Sequence, residues 1–121
     1  MPNHEELRVW KSAHRLTLDI YMATASWPSS ERYGLTSQTR RASASIGANI
    51  AEGAGRDSDA EMKRFLRIAV GSANEVHTYL LLARDLGYRP TTEVTRLTTD
   101  VIALRRQLRA LIRALDQRSS S

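Results

Sequence analysis

Apolar residues recur at steps of three and four along almost the whole chain, and no stretch alternates apolar and polar residues in the manner of a strand. Chain breakers cluster in three places. These are Trp27-Pro28-Ser29-Ser30 running to Tyr33-Gly34, the stretch Glu52-Gly53-Ala54-Gly55-Arg56-Asp57-Ser58, and Gly87-Tyr88-Arg89-Pro90. The four segments they separate each predict a helix. The first has Asn3 three residues before Glu6 as an N-cap and places Leu7, Trp10, Ala13, Ile20, Tyr21 and Thr24 at helical spacing. It should end near Trp27, because Pro28 disfavours helical dihedrals in the residue before it.

The second segment, about residues 35–51, has Leu35, Ala42, Ile46 and Ile50 as its larger contacts. Ser43, Gly47, Ala51 and Gly55 form a row of small residues at four-residue steps, which lets a neighbouring helix come close. The third opens on the capping box Ser58-Asp59-Ala60-Glu61 and presents Met62, Phe65, Leu66, Ala69, Ala73, Val76, Leu80 and Ala83 on one face before Gly87 closes it. In the fourth, Val94, Leu97, Val101, Leu104, Leu108, Leu111 and Leu115 alternate steps of three and four, a heptad seam. Four helices with short connections predict an all-α, antiparallel up-down-up-down four-helix bundle spanning residues 1–118, followed by a disordered tail, Ser119-Ser120-Ser121.

Some apolar residues fall off these core arcs. Ile68, Val70, Leu81 and Leu82 do so on the third helix, and Leu16, Leu18 and Met22 on the first, so self-association is expected. The third-helix residues are the expected oligomer interface, with Trp27 and Tyr33 free to contribute from the first connection.

Charge adds a second partner. The chain carries +5 overall, and residues 101–121 supply +4 of it through Arg105, Arg106, Arg109, Arg113 and Arg118 against Asp116. On a wheel centred on Leu108, Arg105, Arg106, Arg109 and Arg113 adjoin the apolar seam as one guanidinium stripe whose members recur at about 5 to 6 Å. Sixteen of the eighteen cations are arginine, whose planar fork suits phosphate. Two readings are open: a nucleic-acid contact made by Arg105, Arg106, Arg109 and Arg113, or a solvated face that compensates the helix dipole. Arg56, beside the start of the third helix, is a further candidate anion contact, set against a plain glycine-bearing connection.

Catalysis has no visible seat. There are three histidines and no cysteine, no His-Glu-x-x-His, no Glu-x-x-His pair, and no Gly-x-Ser-x-Gly; Gly53-Ala54-Gly55-Arg56 lacks the Lys-Ser/Thr ending of a phosphate loop. His14 is expected to be buried and hydrogen-bonded on the core side of the first helix. No enzyme activity, metal or cofactor is expected, and the cysteine-free, untargeted chain with no apolar run of membrane-spanning length points to the cytoplasm and away from a membrane. Arg41, Asn49 and Glu52 read either as part of a binding site or, preferably, as a polar network among themselves or with Glu75, within the bundle or between subunits.

The stretches Leu7-Arg8-Val9-Trp10-Lys11-Ser12-Ala13, Glu31-Arg32-Tyr33-Gly34-Leu35-Thr36-Ser37-Gln38, Arg40-Arg41-Ala42-Ser43, Ser45-Ile46-Gly47-Ala48-Asn49-Ile50-Ala51-Glu52-Gly53 and Phe65-Leu66-Arg67-Ile68-Ala69-Val70-Gly71-Ser72-Ala73-Asn74-Glu75 resemble the 23S rRNA intervening-sequence proteins, also called four helix bundle or S23 proteins. The resemblance covers about residues 5–90. It implies a bacterial four-helix bundle, usually a homopentamer, in some cases encoded within segments inserted in 23S rRNA genes, and it supplies no catalytic residues. A related bundle is the accessory protein of diversity-generating retroelements, which binds a reverse transcriptase and nucleic acid. Tyr33-Gly34-Leu35 and the Asn49-to-Gly53 motif place this chain nearer the intervening-sequence branch. Two functions follow as expectations: a non-enzymatic oligomeric bundle that binds RNA or other nucleic acid, or a protein-protein assembly adaptor, such as a reverse-transcriptase accessory protein, without RNA specificity of its own.

Overall fold

The computed structural model describes residues 3–120, with side chains through residue 118. The tail expected to be disordered falls on Ser121, outside the described residues, and on Ser119 and Ser120, whose side chains are not described. Four long helices account for nearly all of the rest, and no strand occurs among the described residues: α1 (Arg8–Thr24), α2 (Leu35–Ala54), α3 (Asp59–Asp85) and α4 (Thr91–Ser120).

Local chemistry sets the ends of these helices. Asn3 does cap, but what it caps is a single 3-10 turn, His4–Glu6, through a 3.1 Å bond from the Glu5 amide; α1 starts only after the extended Leu7. Ser58 caps α3 by accepting from the Glu61 amide at 3.2 Å, while the Glu61 carboxylate turns to Arg64 at 2.8 Å and leaves the reciprocal half of the box unmade. Gly87, with φ +74°, ends α3 in a Schellman turn: the Tyr88 amide donates to Ala83 O and the Gly87 amide to Arg84 O.

One hydrophobic core joins all four helices, with Ile20, Ile46, Ile50, Leu66, Leu80, Leu97 and Leu108 fully buried. Burying a side chain of this size is worth about 1.5–3 kcal/mol, so each one matters to a domain only marginally stable in total. The α4 seam holds as its spacing predicts: Leu111 is half-buried and the other six residues are buried. Polar contacts fix the neighbours. Thr17 Oγ1 donates to Ser43 O at 3.0 Å between α1 and α2, and Ser45 and Ser72 share a 2.9 Å hydroxyl bond between α2 and α3. Lys63 meets Asp116 at 2.7 Å and Arg118 meets Asp59 between α3 and α4, and Arg96 meets Asp19 at 3.3 Å to close α4 onto α1.

Several expected positions change. Leu16 is buried, not an off-core residue, and Tyr21 is exposed, because α1 turns Ala13, Leu16, Ile20 and Ala23 inward. Val70 is also buried and Leu81 is half-buried, since α4 covers the flank of α3 on which they lie. Trp27 packs into the core against Tyr88, with ring centroids 5.8 Å apart, and is not free to join an interface; Tyr33 is 85% exposed.

The two connections at that end are tied together by Glu31. Its carboxylate accepts from the Leu35 amide at 3.1 Å, standing in for an N-cap on α2, and from the Tyr88 hydroxyl at 2.5 Å. The Tyr88 bond, then the Leu35 bond, hold the Glu31 carboxyl below its ordinary range; Arg118 does the same for Asp59 and Lys63 for Asp116. Groups with lowered folded pKa values contribute stability that is complete above the unfolded value, about 4, and is lost as pH falls through the lower folded values. Melting temperature should therefore drop on acidification below about pH 4, and Glu31→Gln, which removes one titrating group, should shrink that drop. An equal drop in parent and variant, followed by circular dichroism, would show that the Glu31 tie does not titrate with folding.

Candidate nucleic-acid interface

Arg105, Arg109 and Arg113 lie one helical turn apart on α4, and the structure divides the stripe by what each side chain meets. Arg105 is half-buried and donates to Asn74 Oδ1 at 3.0 Å and to His77 Nδ1 at 3.1 Å. That bond makes His77 Nδ1 an acceptor and leaves its proton on Nε2. Burial first, and the fields of Arg105 and Arg84 next, push the His77 pKa down and favour this neutral ring. Arg105 is thus a structural tie between α3 and α4 more than a free cation.

Arg106, Arg109 and Arg113 are exposed and hold no carboxylate among the described residues. The contrast with their neighbours is marked. Lys63 pairs with Asp116, Arg64 with Glu61, Arg84 with Asp85, Arg96 with Glu93, Asp100 and Asp19, and Arg118 with Asp59. Across the seam on α3, exposed Arg67 likewise makes no ion pair among the described residues. Arg67, Val70, Arg109, Ile112 and Arg113 together line a groove of about 270 Å³. The sequence reading missed Arg67. Its signal is the four-residue step from Lys63, which puts both cations on the side of α3 that meets α4.

Arg56 stands apart from this surface. It pairs with Glu52 at 2.9 Å and lies over the Phe65 ring, 4.7 Å from the centroid, with Arg64 on the same ring at 4.5 Å. Its charge is locally compensated, and the stripe does not extend to it.

The expected network of Arg41, Asn49, Glu52 and Glu75 does not form within the chain. Asn49 Nδ2 donates to Ser45 O at 2.8 Å and Ser45 Oγ at 3.1 Å, joining the Ser45–Ser72 bond; Glu52 takes Arg56; Glu75 has only a 3.5 Å contact from the Tyr79 hydroxyl. Exposed Arg41 has no polar partner among the described residues. These groups instead share the outer face of the α2–α3 pair. On α3, Ile68, Glu75 and Leu82 recur every seven residues on one exposed stripe, with Gly71 bare beside them.

The histidines do not converge. His14 is exposed and stacks on Trp10 at 4.8 Å, contrary to the buried position expected of it, and His4 meets the edge of the same indole at 5.2 Å. Trp10 covers the approach to Gly47 on α2, so the apolar surface that sequence periodicity assigned to His14 is taken by its neighbour. No group of three or more His, Cys, Asp or Glu among the described residues is placed to hold a metal ion. No helix among them is long and apolar enough to cross a membrane.

The model of the 23S rRNA-intervening sequence protein family matches residues 5–110, which carries it through α1, α2 and α3 and into the arginine-bearing part of α4. The chain belongs to that family. The match runs past the residue-90 limit of the motif resemblance and takes in Arg105, Arg106 and Arg109, while Arg113 lies beyond it. The chain is also similar to a solved protein of unknown function from the S23 ribosomal protein family of Bacteroides thetaiotaomicron. The two share 24% identity over 86% of this chain and 97% of that one, with a TM-score of 0.77, a likeness that shows the fold. Comparison with curated proteins gives no match.

Proposed function

We propose that this intervening-sequence protein is a non-enzymatic, cytoplasmic homo-oligomer, expected to be a pentamer, of antiparallel up-down-up-down bundles that binds RNA or other nucleic acid through α4. Position rises along one helix as it falls along the next in three pairs of contacts, Thr24–Arg40 with Trp10–Gly47, Ser45–Ser72 with Gly53–Met62, and Lys63–Asp116 with Asn74–Arg105, which supports opposite senses for successive helices. Exposed Ile68 and Leu82 support assembly.

The observation that carries the nucleic-acid reading is that Arg106, Arg109 and Arg113 are left without carboxylates on a helix pair whose other cations nearly all have partners. Uncompensated guanidinium groups attract phosphate and release its counterions, so affinity falls steeply with salt. Changing Arg106, Arg109 and Arg113 together to Gln should weaken RNA binding similarly for all sequences and flatten the slope of log affinity against log salt by about 2, with the melting temperature unchanged. Fluorescence anisotropy over a salt series measures this. If the triple variant binds as the parent does with the same slope, α4 is not the nucleic-acid face and the adaptor reading takes its place.

A further inference from the structure

The α3–α4 groove has two kinds of lining that a phosphate-only contact would not need. Its floor is apolar, made by buried Val70 and half-buried Ile112, and its rim carries the guanidinium groups of Arg67, Arg109 and Arg113. Asp116, bound to Lys63 at 2.7 Å, also lies in the field of Arg67, but it does not line the groove, whose charged groups are the guanidinium groups of Arg67, Arg109 and Arg113. A wholly cationic rim excludes a cationic occupant, and the floor favours one with a flat apolar part beside its negative charge.

We infer that this groove seats an unstacked base of a single-stranded nucleic acid, with Val70 and Ile112 beneath the base and Arg67, Arg109 and Arg113 on the adjoining phosphates. The inference rests on the nucleic-acid reading above and narrows it from nucleic acid in general to single strands. A duplex keeps its bases stacked and offers this surface only backbone, which would leave Val70 and Ile112 against sugar and phosphate. In a single strand every base has a free face, so occupancy tolerates any sequence. Arg67 and Arg109 come from different helices and flank the floor from both sides, which fixes where the strand must run.

The test uses the full chain with three fluorescein-labelled probes of equal length: an oligouridylate, its abasic counterpart and an RNA duplex. The oligouridylate should bind about tenfold more tightly than either of the others, a modest version of the stacking effect seen on aromatic surfaces. Ile112→Ser should reduce affinity for the oligouridylate several-fold and leave the abasic strand unchanged. Arg67→Gln, at an exposed position that leaves the fold intact, should weaken all three probes and lower the salt slope for the single strands by about 0.7. If the abasic strand and the duplex match the oligouridylate in the parent protein, or Arg67→Gln leaves the slope unchanged, the base seat is wrong while the wider nucleic-acid reading stands. If no probe binds even at low salt, both fall.

Discussion

Gly53→Leu should destabilise the protein by about 3 kcal/mol, at the upper end of what overpacking costs, and lower its melting temperature by roughly 10 °C. A Cβ built at Gly53 would lie 3.1 Å from Met62 O and 3.1 Å from Phe65 Cβ. One of these is backbone and the other a Cβ fixed directly to the α3 backbone, so neither can swing aside. A leucine there must push α2 away from the first turns of α3. The control is Gly47→Ala. Its Cβ would meet Trp10 Nε1 at 3.6 Å and Ala13 Cβ at 3.9 Å, ordinary contact distances, and alanine is the better helix former by about 1 kcal/mol, so the change should be neutral or stabilising. A Gly47→Leu change exceeds that space and should cost about 1 to 3 kcal/mol. If Gly53→Leu melts with the parent in circular dichroism, the α2–α3 approach is looser than the structure has it.

This pair of glycines shows what the sequence could convey. The small-residue row through Gly47 was legible because four-residue steps mark a helix face, and Gly47 does face α1. The tighter glycine, Gly53, lies outside that row, and its closeness depends on how the short connection returns α3 beside α2. The α4 seam was legible because branched and aliphatic residues alternate strictly at three and four, with mostly polar or small residues between them. On α1 the charged Arg8, Lys11, Arg15 and Asp19 mark an outer face, but Leu18, Tyr21 and Met22 widen the apolar arc towards it, so its centre is not set by periodicity alone. The face was settled by which partners arrived: Ser43 at Thr17, Gly47 at Trp10, and Arg40 over the Tyr21 ring at 4.7 Å, which keeps Tyr21 outside.

The candidate site was half legible for a related reason. A wheel drawn on one helix places Arg109 and Arg113 correctly beside the core, but it has no way to show that Arg67 of α3 stands across the same groove. It treats Val70 as off-core because α3 has two flanking neighbours and the wheel gives it one. Arg105 read as a member of the stripe until Asn74 and His77, thirty-one and twenty-eight positions earlier, claimed its guanidinium. Such pairings at long sequence separation are set by topology and leave no local trace.

Replacing Ile68 and Leu82 together with Glu should convert the proposed oligomer to a monomer of about the chain mass, 13.6 kDa, with helical content unchanged. Ile68 is 43% exposed and Leu82 47% exposed, two turns either side of Glu75 on the outer face of α3, where no helix of the same chain covers them. Exposed Arg41 on α2 and Glu75 on α3 leave opposite charges on that face, so a second copy could match acid to base around an apolar centre. Gly71 points the same way: no atom lies within 4 Å of a Cβ built there, so within one chain the position gains nothing from glycine and gives up about 1 kcal/mol of helix propensity relative to alanine. Two carboxylates introduced into such a contact would be desolvated without partners and would repel Glu75, which costs far more in an assembly than in a lone bundle. Light scattering coupled to size exclusion decides it. A parent that is already monomeric at micromolar concentration removes the assembly proposal, and a double variant that keeps the parent's mass moves the interface to the Leu18 and Met22 face of α1.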